Sequence, residues 1–394
     1  MQSQTDQMEK LYMSNHPDTL SSAGSWYSEY GSENDVVLST RIRLARNLAN
    51  FPFPCDSRKD DAERVQALVF DSFSHMNDSD RFQYVSMSQL DSFGIQLFVE
   101  RAIIPERDCN SFNINTIGKT TERKYPCDLG IVVRGDGRVS CIVNSLDHVR
   151  ISALASGYEP RNVWQLCHEI DKSMQSSLQF AASYDFGFLT ANLCDAGSGM
   201  KISTWLMLPA LMHANKVKEN SELISKQNFR LKSALGSLSM PYASLGACYQ
   251  LESICSMNGS EEDQITEFTA VLMQLCNAER NARKDFINYK PTILKHLVCR
   301  TLAIAKNSKF LECSDAFEII ANLHLALSCG FIEGISYKEL HAIMYRIRNS
   351  CVDFLRRSSN FIFEDDIKDS VNLTIPRLRA LLIQELVEDI KICF

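Results

Sequence analysis

The 394-residue chain has no run of about 18 apolar residues, so no transmembrane helix is expected. Its first 35 residues, MQSQTDQMEKLYMSNHPDTLSSAGSWYSEYGSEND, lack an apolar h-region, which argues against a secretion signal. None of its 14 cysteines falls in a CxxC pair, and neither they nor the eight histidines show metal-ligand spacing. Zinc is therefore not expected. Cys141, Cys299 and Cys329 stand among apolar residues, which points to reduced, buried small hydrophobes in a cytoplasmic protein. An excess of positive charge is also missing. The net charge of −7 disfavours a general nucleic-acid surface and leaves room for a local basic pocket. There is no internal repeat and no long low-complexity segment.

What is present is an ordinary globular composition, 45% hydrophobic and 23% charged, in a length sufficient for two domains. Residues 1–33 are polar and read as a flexible N-terminal segment. Residues 34–256 mix strand and helix patterns. DAERVQALVFDSFSHM (61–76) has helical spacing through Val65, Leu68, Phe70 and Phe73. RFQYVSMSQL suggests a strand, SFGIQLFVERAII a helix and EPRNVWQLCHEIDKSMQSSL (159–178) another helix. In DLGIVVRGDGRVSCIVN (128–144), two apolar runs flank Gly135-Asp136-Gly137, a strong hairpin signal. FGFLTANLCDAGSGMKISTWLMLPALMHANK (186–216) reads as strand, Gly-rich loop and then helix, with Pro209 kinking that helix or falling at a turn. From 257 to 394 the pattern is almost entirely helical. Ser260 is the N-cap of the first of these helices, and Gly330 ends one whose stripe is Phe317, Ile320, Leu323 and Leu327. Leu340, Met344 and Ile347, and Leu378, Leu381, Leu382 and Leu386, form further apolar stripes, suited to an internal core or to an interface.

Three constellations could carry chemistry. In STRIRLARN, Arg41 and Arg43 project to the same side of a strand. Two guanidinium groups on one face suit an anion between them, because their forks match phosphate oxygens. A solvated edge strand explains them equally well. In Asp147-His148-Val149-Arg150, His148 and Arg150 share a face if a strand begins there. In DAGSGMKIS, Gly197 and Gly199 allow backbone amides to approach a phosphate and Lys201 adds charge, although a ligand-free turn would look the same.

Taken together and in this order, these segments resemble the phosphagen (ATP:guanido) kinase superfamily, and within it the bacterial protein-arginine kinases. The family pattern VVLSSRIRLARN…FP stands here as DVVLSTRIRLARNLANFPFP, nearly unbroken. DHVRI is similar to DHxRI, FGFLT to GYLT, GSGMKIS…LPAL to GTGLRAS…LPAL, SLGACYQLES to ALGxxxQxSN, and NAERNARKD to xERxARE. The resemblance implies an α+β fold, with an antiparallel sheet flanked by helices, followed by an all-helical C-terminal domain. It implies ATP and Mg2+ as cosubstrates and transfer of the γ-phosphoryl group to a guanidinium of a protein substrate or client. It also implies a homodimer and a small zinc-binding activator-type partner. Arginines would clamp the triphosphate, and acids would align the acceptor and take its proton.

Carried over residue by residue, the nucleotide side is Arg41, Arg43, His148, Arg150 and Lys201, the last replacing an arginine. The arginine of VRGxxGEGS falls on Leu235. None of the family acids is retained. NEEDH is NSLDH here, so Ser145 and Leu146 replace two glutamates, and Met240 replaces the glutamate of GEGS. The cysteine of CPTNxG falls on Asn192, with Cys194 two positions on. EDDIKDSVNL (364–373) stands where the family has the arginine-rich ERDxRRA. Asp147 is a weak candidate base, and Glu252 a group that could swing in. The expectation is a pseudokinase acting as a binding or regulatory module; the alternative is an active protein-arginine kinase with a rearranged acid set.

Overall fold

The computed structural model describes residues 26–104, 129–235, 244–257 and 259–394. In chain order these form β1 (Val37–Arg46), α1 (Lys59–Ser74), β2 (Phe82–Ser86), α2 (Ser92–Glu100), β3 (Gly130–Arg134), β4 (Val139–Val143), β5 (Val149–Ser156) and α3 (Pro160–Gln175). There follow β6 (Ala182–Ser183), β7 (Gly187–Phe188), β8 (Met200–Met207), α4 (Pro209–His213), α5 (Val217–Ser225), β9 (Phe229–Ser233) and β10 (Cys248–Ser253). The rest is helical apart from a two-residue strand pair: α6 (Glu261–Tyr289), α7 (Pro291–Asn307), α8 (Cys313–Ser328), β11 (Ile332–Glu333), α9 (Tyr337–Arg346), α10 (Asn349–Ser358), α11 (Val371–Leu386) and β12 (Lys391–Ile392).

Eight strands make one antiparallel sheet, ordered β2-β3-β4-β5-β1-β8-β10-β9. The alternation of β1 separates its two faces. Ile42 and Leu44 are buried on one side, where α3 packs across β1 and β5 with Val163, Cys167 and Met174. Arg41 and Arg43 point to the other side, which is polar. The hairpin expected at 128–144 is present as β3 and β4.

Three expectations are corrected. Residues 200–207 form β8, not a helix: burial alternates along MKISTWLM with period two, and Pro209 opens the short helix α4 as its first residue. In α1 Val65 and Phe73 are buried and Phe70 packs against the core as expected, but Leu68 is exposed, and Ala62, Val69 and Ser72 complete the buried line. The N-terminal segment is not loose as far as Ser32. Trp26 and Tyr27 are buried, and Tyr27 stacks on Tyr345 of α9 at 4.7 Å between ring centroids. Residues 1–25 lie outside the described residues.

One buried apolar cluster runs from Val36 to Ile390. The change of texture near residue 256 therefore marks a change of secondary structure, not a break in the core. Leu340, Met344, Ile347, Leu378 and Leu382 are buried in this cluster, and Leu381 and Leu386 pack against it, so both stripes serve the core. Polar ties reinforce the join. Glu279 of α6 is fully buried and caps α4, accepting from the backbone N–H groups of Ala210 and Leu211 at 3.0 and 2.9 Å and from Arg283 Nε at 3.2 Å. Burial pushes the Glu279 carboxyl up, and Arg283 and the two amides oppose that shift. Glu100 of α2 likewise caps α10, accepting from Ser350 N at 2.9 Å and Cys351 N at 3.3 Å.

His341 of α9 is buried and stacks on His324 of α8 at 5.9 Å, beside Tyr337. Burial lowers the His341 pKa to about 4, and a backbone contact with Asn34 opposes this. A histidine held neutral in the fold contributes stability that is complete above its unfolded pKa near 6.5. That contribution is lost as the pH falls toward 4, because the unfolded chain takes up the proton first. Urea unfolding should show His341 accounting for about 2 kcal/mol of the stability lost between pH 7 and pH 5. His341→Phe should flatten the slope by that amount, and an unchanged slope would contradict the assignment.

Candidate functional site

Directly opposed residues of an antiparallel sheet share a face. On the polar face, Arg43 of β1 stands opposite Lys201 of β8 on one side and Ser152 of β5 on the other. Arg41 stands opposite Ser203 and Leu154, and Arg150 opposite Ala45. Strand pairing thus gathers four cations, Arg41, Arg43, Arg150 and Lys201, from positions up to 160 residues apart in the sequence. Arg41 Nη2 donates to Ser152 Oγ at 3.1 Å. Arg150 is buried, and its Nη1 donates to Ser145 Oγ at 3.3 Å. The anion-site reading of Arg41 and Arg43 gains ground over the edge-strand one, because β1 lies in the interior of the sheet.

The same row continues outward. Glu252 of β10 stands opposite Ser203 and next to Arg230 of β9. Its carboxylate takes Lys232 Nζ at 2.6 Å and Arg230 Nη1 at 3.4 Å. Glu252 is therefore on the correct face but engaged with two cations of its own.

The loop from Asn144 to His148 is a structural knot. Asn144 has a positive φ of 60°, and its N–H donates to His148 O at 3.0 Å, closing the turn. Asp147 is buried. Its Oδ1 accepts from Asn47 Nδ2 at 2.9 Å and from Ala191 N at 2.8 Å. His148, expected on the nucleotide side, is buried and bonded to the backbone. Its Nδ1 accepts from Leu48 N at 3.1 Å, so Nε2 carries the proton and donates to Pro52 O at 2.9 Å. Both ring nitrogens are committed to the backbone, and the ring pins segment 48–52 beside the loop. Burial lowers the His148 pKa, opposed by the Pro52 carbonyl and by Asp147. Leu146 is half-buried, and Leu235 is half-buried against the core. Met240 and the rest of 236–243 lie outside the described residues.

One member of the site was not singled out in the sequence. Asp195 lies at the end of a 3-10 turn, Leu193–Asp195, and its side chain is 4% exposed. Its Oδ2 meets Arg43 Nη2 at 3.4 Å and its Oδ1 pairs with Lys201 Nζ. It opens the DAGSGMKIS stretch, two residues before Gly197, and that was the available signal. Arg46 is not part of the site: it lies on the apolar face of β1, where Nε and Nη2 donate to Asp171 of α3 at 2.9 and 3.0 Å. Cys194 is exposed on the same turn as Asp195.

The donor set suits a polyphosphate: three guanidinium groups and an ammonium on one face. Among the described residues, no group of three or more His, Cys, Asp or Glu side chains could hold a metal ion. Mg2+ in phosphoryl-transfer sites is bound largely through phosphates and water, so such a cluster is not required for it. No helix of the described residues is long and apolar enough to cross a membrane.

Residues 64–282, more than half of the chain, match the family described as ATP:guanido phosphotransferase, C-terminal catalytic domain. The protein-arginine kinase of Halothermothrix orenii is 27% identical over 343 residues, covering 87% of this chain and 93% of that protein. That of Shouchella clausii is 26% identical over 362 residues, covering 91% and 96%. Among solved structures, the substrate-free duplicated taurocyamine kinase from Schistosoma mansoni superposes with a TM-score of 0.53 at 18% identity, covering 77% of this chain and 43% of that one. Lombricine kinase gives 0.51 at 14% identity, covering 69% and 75%. These two show the fold, an antiparallel sheet flanked by helices. The sequence motifs, the strand that places Arg41 and Arg43 and the match over 64–282 lead to one conclusion: the chain belongs to the ATP:guanido phosphotransferase family, close to the protein-arginine kinases.

Proposed function

We propose that this chain is a protein-arginine-kinase-like protein that keeps a phosphate-binding face, has lost the acids that take the acceptor proton, and works as a binding or regulatory module. Loop 144–148 carries the reading. Where the family pattern has two glutamates, Ser145 accepts from Arg150 and Leu146 offers no acid, while Asp147 Oδ1 is taken up by Asn47 and Ala191. A guanidinium with a pKa above about 12 needs a base to become a nucleophile. Arg41, Arg43, Arg150 and Lys201 would hold the phosphates of ATP. When bound, Mg-ATP would supply the transferable phosphoryl group and the metal charge. The family resemblance further suggests a homodimer, a protein client and a small zinc-binding activator-type partner.

One observation favours a second reading, an active kinase with rearranged acids. Glu252 lies on the polar face in the same row as Arg41, although Lys232 and Arg230 hold it. The discriminating experiment incubates the purified protein with Mg-ATP and an arginine-rich protein substrate, and measures phosphoarginine by mass spectrometry without acid. No product above an Arg41→Ala/Arg150→Ala control is expected, together with ATP affinity that the same double substitution lowers at least tenfold. Product clearly above that control would establish the second reading. Affinity unchanged in the double variant would remove the phosphate site from this face.

A further inference from the structure

Arg43 and Lys201 are directly opposed on β1 and β8. Like charges at such a position repel, and the pair is stable only with an anion between them. The fold supplies one. Asp195 Oδ2 lies 3.4 Å from Arg43 Nη2, Oδ1 pairs with Lys201 Nζ, and the side chain is almost fully withdrawn from water. We infer that Asp195 is a built-in phosphate surrogate, filling the Arg43–Lys201 half of the anion site so that an incoming phosphate must displace it.

The carboxylate is delivered by a fixed turn, not by a chance rotamer. Asn192 Oδ1 accepts from Cys194 N at 3.2 Å and Asn192 O from Asp195 N at 2.8 Å. Cys194 O accepts from Ser256 N at 2.8 Å, which ties the turn to the segment after β10. Gly197 is bonded in both directions to Phe188, with Phe188 N donating to Gly197 O at 2.8 Å and Gly197 N to Phe188 O at 3.2 Å. A turn held from both sides loses little entropy when it presents its carboxylate. Two oxygens on two neighbouring cations reproduce how a phosphate would bridge them. In the family pattern CPTNxG this position is an uncharged asparagine, so here the chain carries an extra negative charge inside its own anion site. The consequence is a specific one: the Arg43–Lys201 half is closed by an intramolecular competitor, and affinity for phosphates is lower than the count of cations implies.

The inference rests on reading this face as a phosphate site, and the test separates the two claims. Binding of inorganic tripolyphosphate without Mg2+, and of Mg-ATP, is measured by calorimetry for the full chain, Asp195→Asn and Asp195→Ser. Asparagine keeps the shape and removes the charge. Its affinity for tripolyphosphate should rise about tenfold or more, since a like charge in near contact with the ligand is gone. Thermal unfolding gives a second readout. Without ligand, the variants should melt below the wild type, and added phosphate should raise their midpoint more than it raises that of the wild type. A residue that only braced the loop would lower the midpoint with no gain from phosphate. Gains for both ligands support the surrogate and the nucleotide reading together. A gain for tripolyphosphate alone supports the surrogate and counts against nucleotide binding. Unchanged, weaker or absent tripolyphosphate binding in both variants overturns the inference, whatever ATP does.

Discussion

Replacing Arg46 by alanine is expected to lower the stability of the protein by about 3–5 kcal/mol, the largest effect of any single arginine on β1. Arg46 is 1% exposed. Its Nε and Nη2 form a two-pronged pair with Asp171, which is also buried, and its Nη1 donates to the carbonyl groups of Ala45 and Ser198 at 2.8 and 2.9 Å. The guanidinium carbon also sits 3.7 Å from the ring centre of Phe188. Removing it strands a buried carboxylate and two carbonyls and releases the loop that carries Asp195. Arg41→Ala, five residues earlier on the opposite face, should cost less than about 1 kcal/mol, because its side chain is only partly buried and its one hydrogen bond described here is to a neutral hydroxyl, Ser152. Urea unfolding of the two variants side by side checks this. Equal losses would mean that the two faces of β1 have been assigned wrongly.

Placing glutamates at two positions where the family pattern has them should not by itself give the rate of an active relative. Leu146→Glu together with Met240→Glu is expected to leave phosphoarginine formation at least about 10²-fold below that of a protein-arginine kinase such as the Halothermothrix orenii relative. A general base alone is worth about 10²–10⁴ in rate, so the substitutions supply a necessary group. They do not supply its surroundings. Leu235, which stands where the family pattern has an arginine, packs on the core, and Asp195 holds Arg43 and Lys201. Catalysis of phosphoryl transfer consists almost entirely of positioning and charge stabilisation, so a base without its clamp gains little. A double variant as fast as the relative would contradict this expectation.

Much of the architecture was legible in the sequence because it is local. The Asp-Gly turn between β3 and β4, the Ser260 cap of α6 and the Gly330 stop after α8 each depend on the backbone preference of one or two residues. Residues 200–207 misled because MKISTWLM has strand alternation next to a Pro-initiated helix. In a short apolar run, only pairing with β1 and β10 decides between strand and helix. The partners of His148 were not legible at all: only the folded chain brings the Leu48 amide and the Pro52 carbonyl to its two nitrogens.

The sequence by itself determined the family, the two arginines sharing one face of β1, and the absence of glutamates in Asn144-Ser145-Leu146-Asp147-His148, because residue type and a period of two are written along the chain. Only the tertiary structure decided that Arg46 is a core ion pair while Arg41 and Arg43 lie on the polar face of the sheet, that Trp26 and Tyr27 are buried under Tyr345, and that Asp195 lies between Arg43 and Lys201. Each of these depends on which distant segment arrives opposite a given side chain. Sheet register and helix packing fix that, and electrostatic partnership follows from the distance they set.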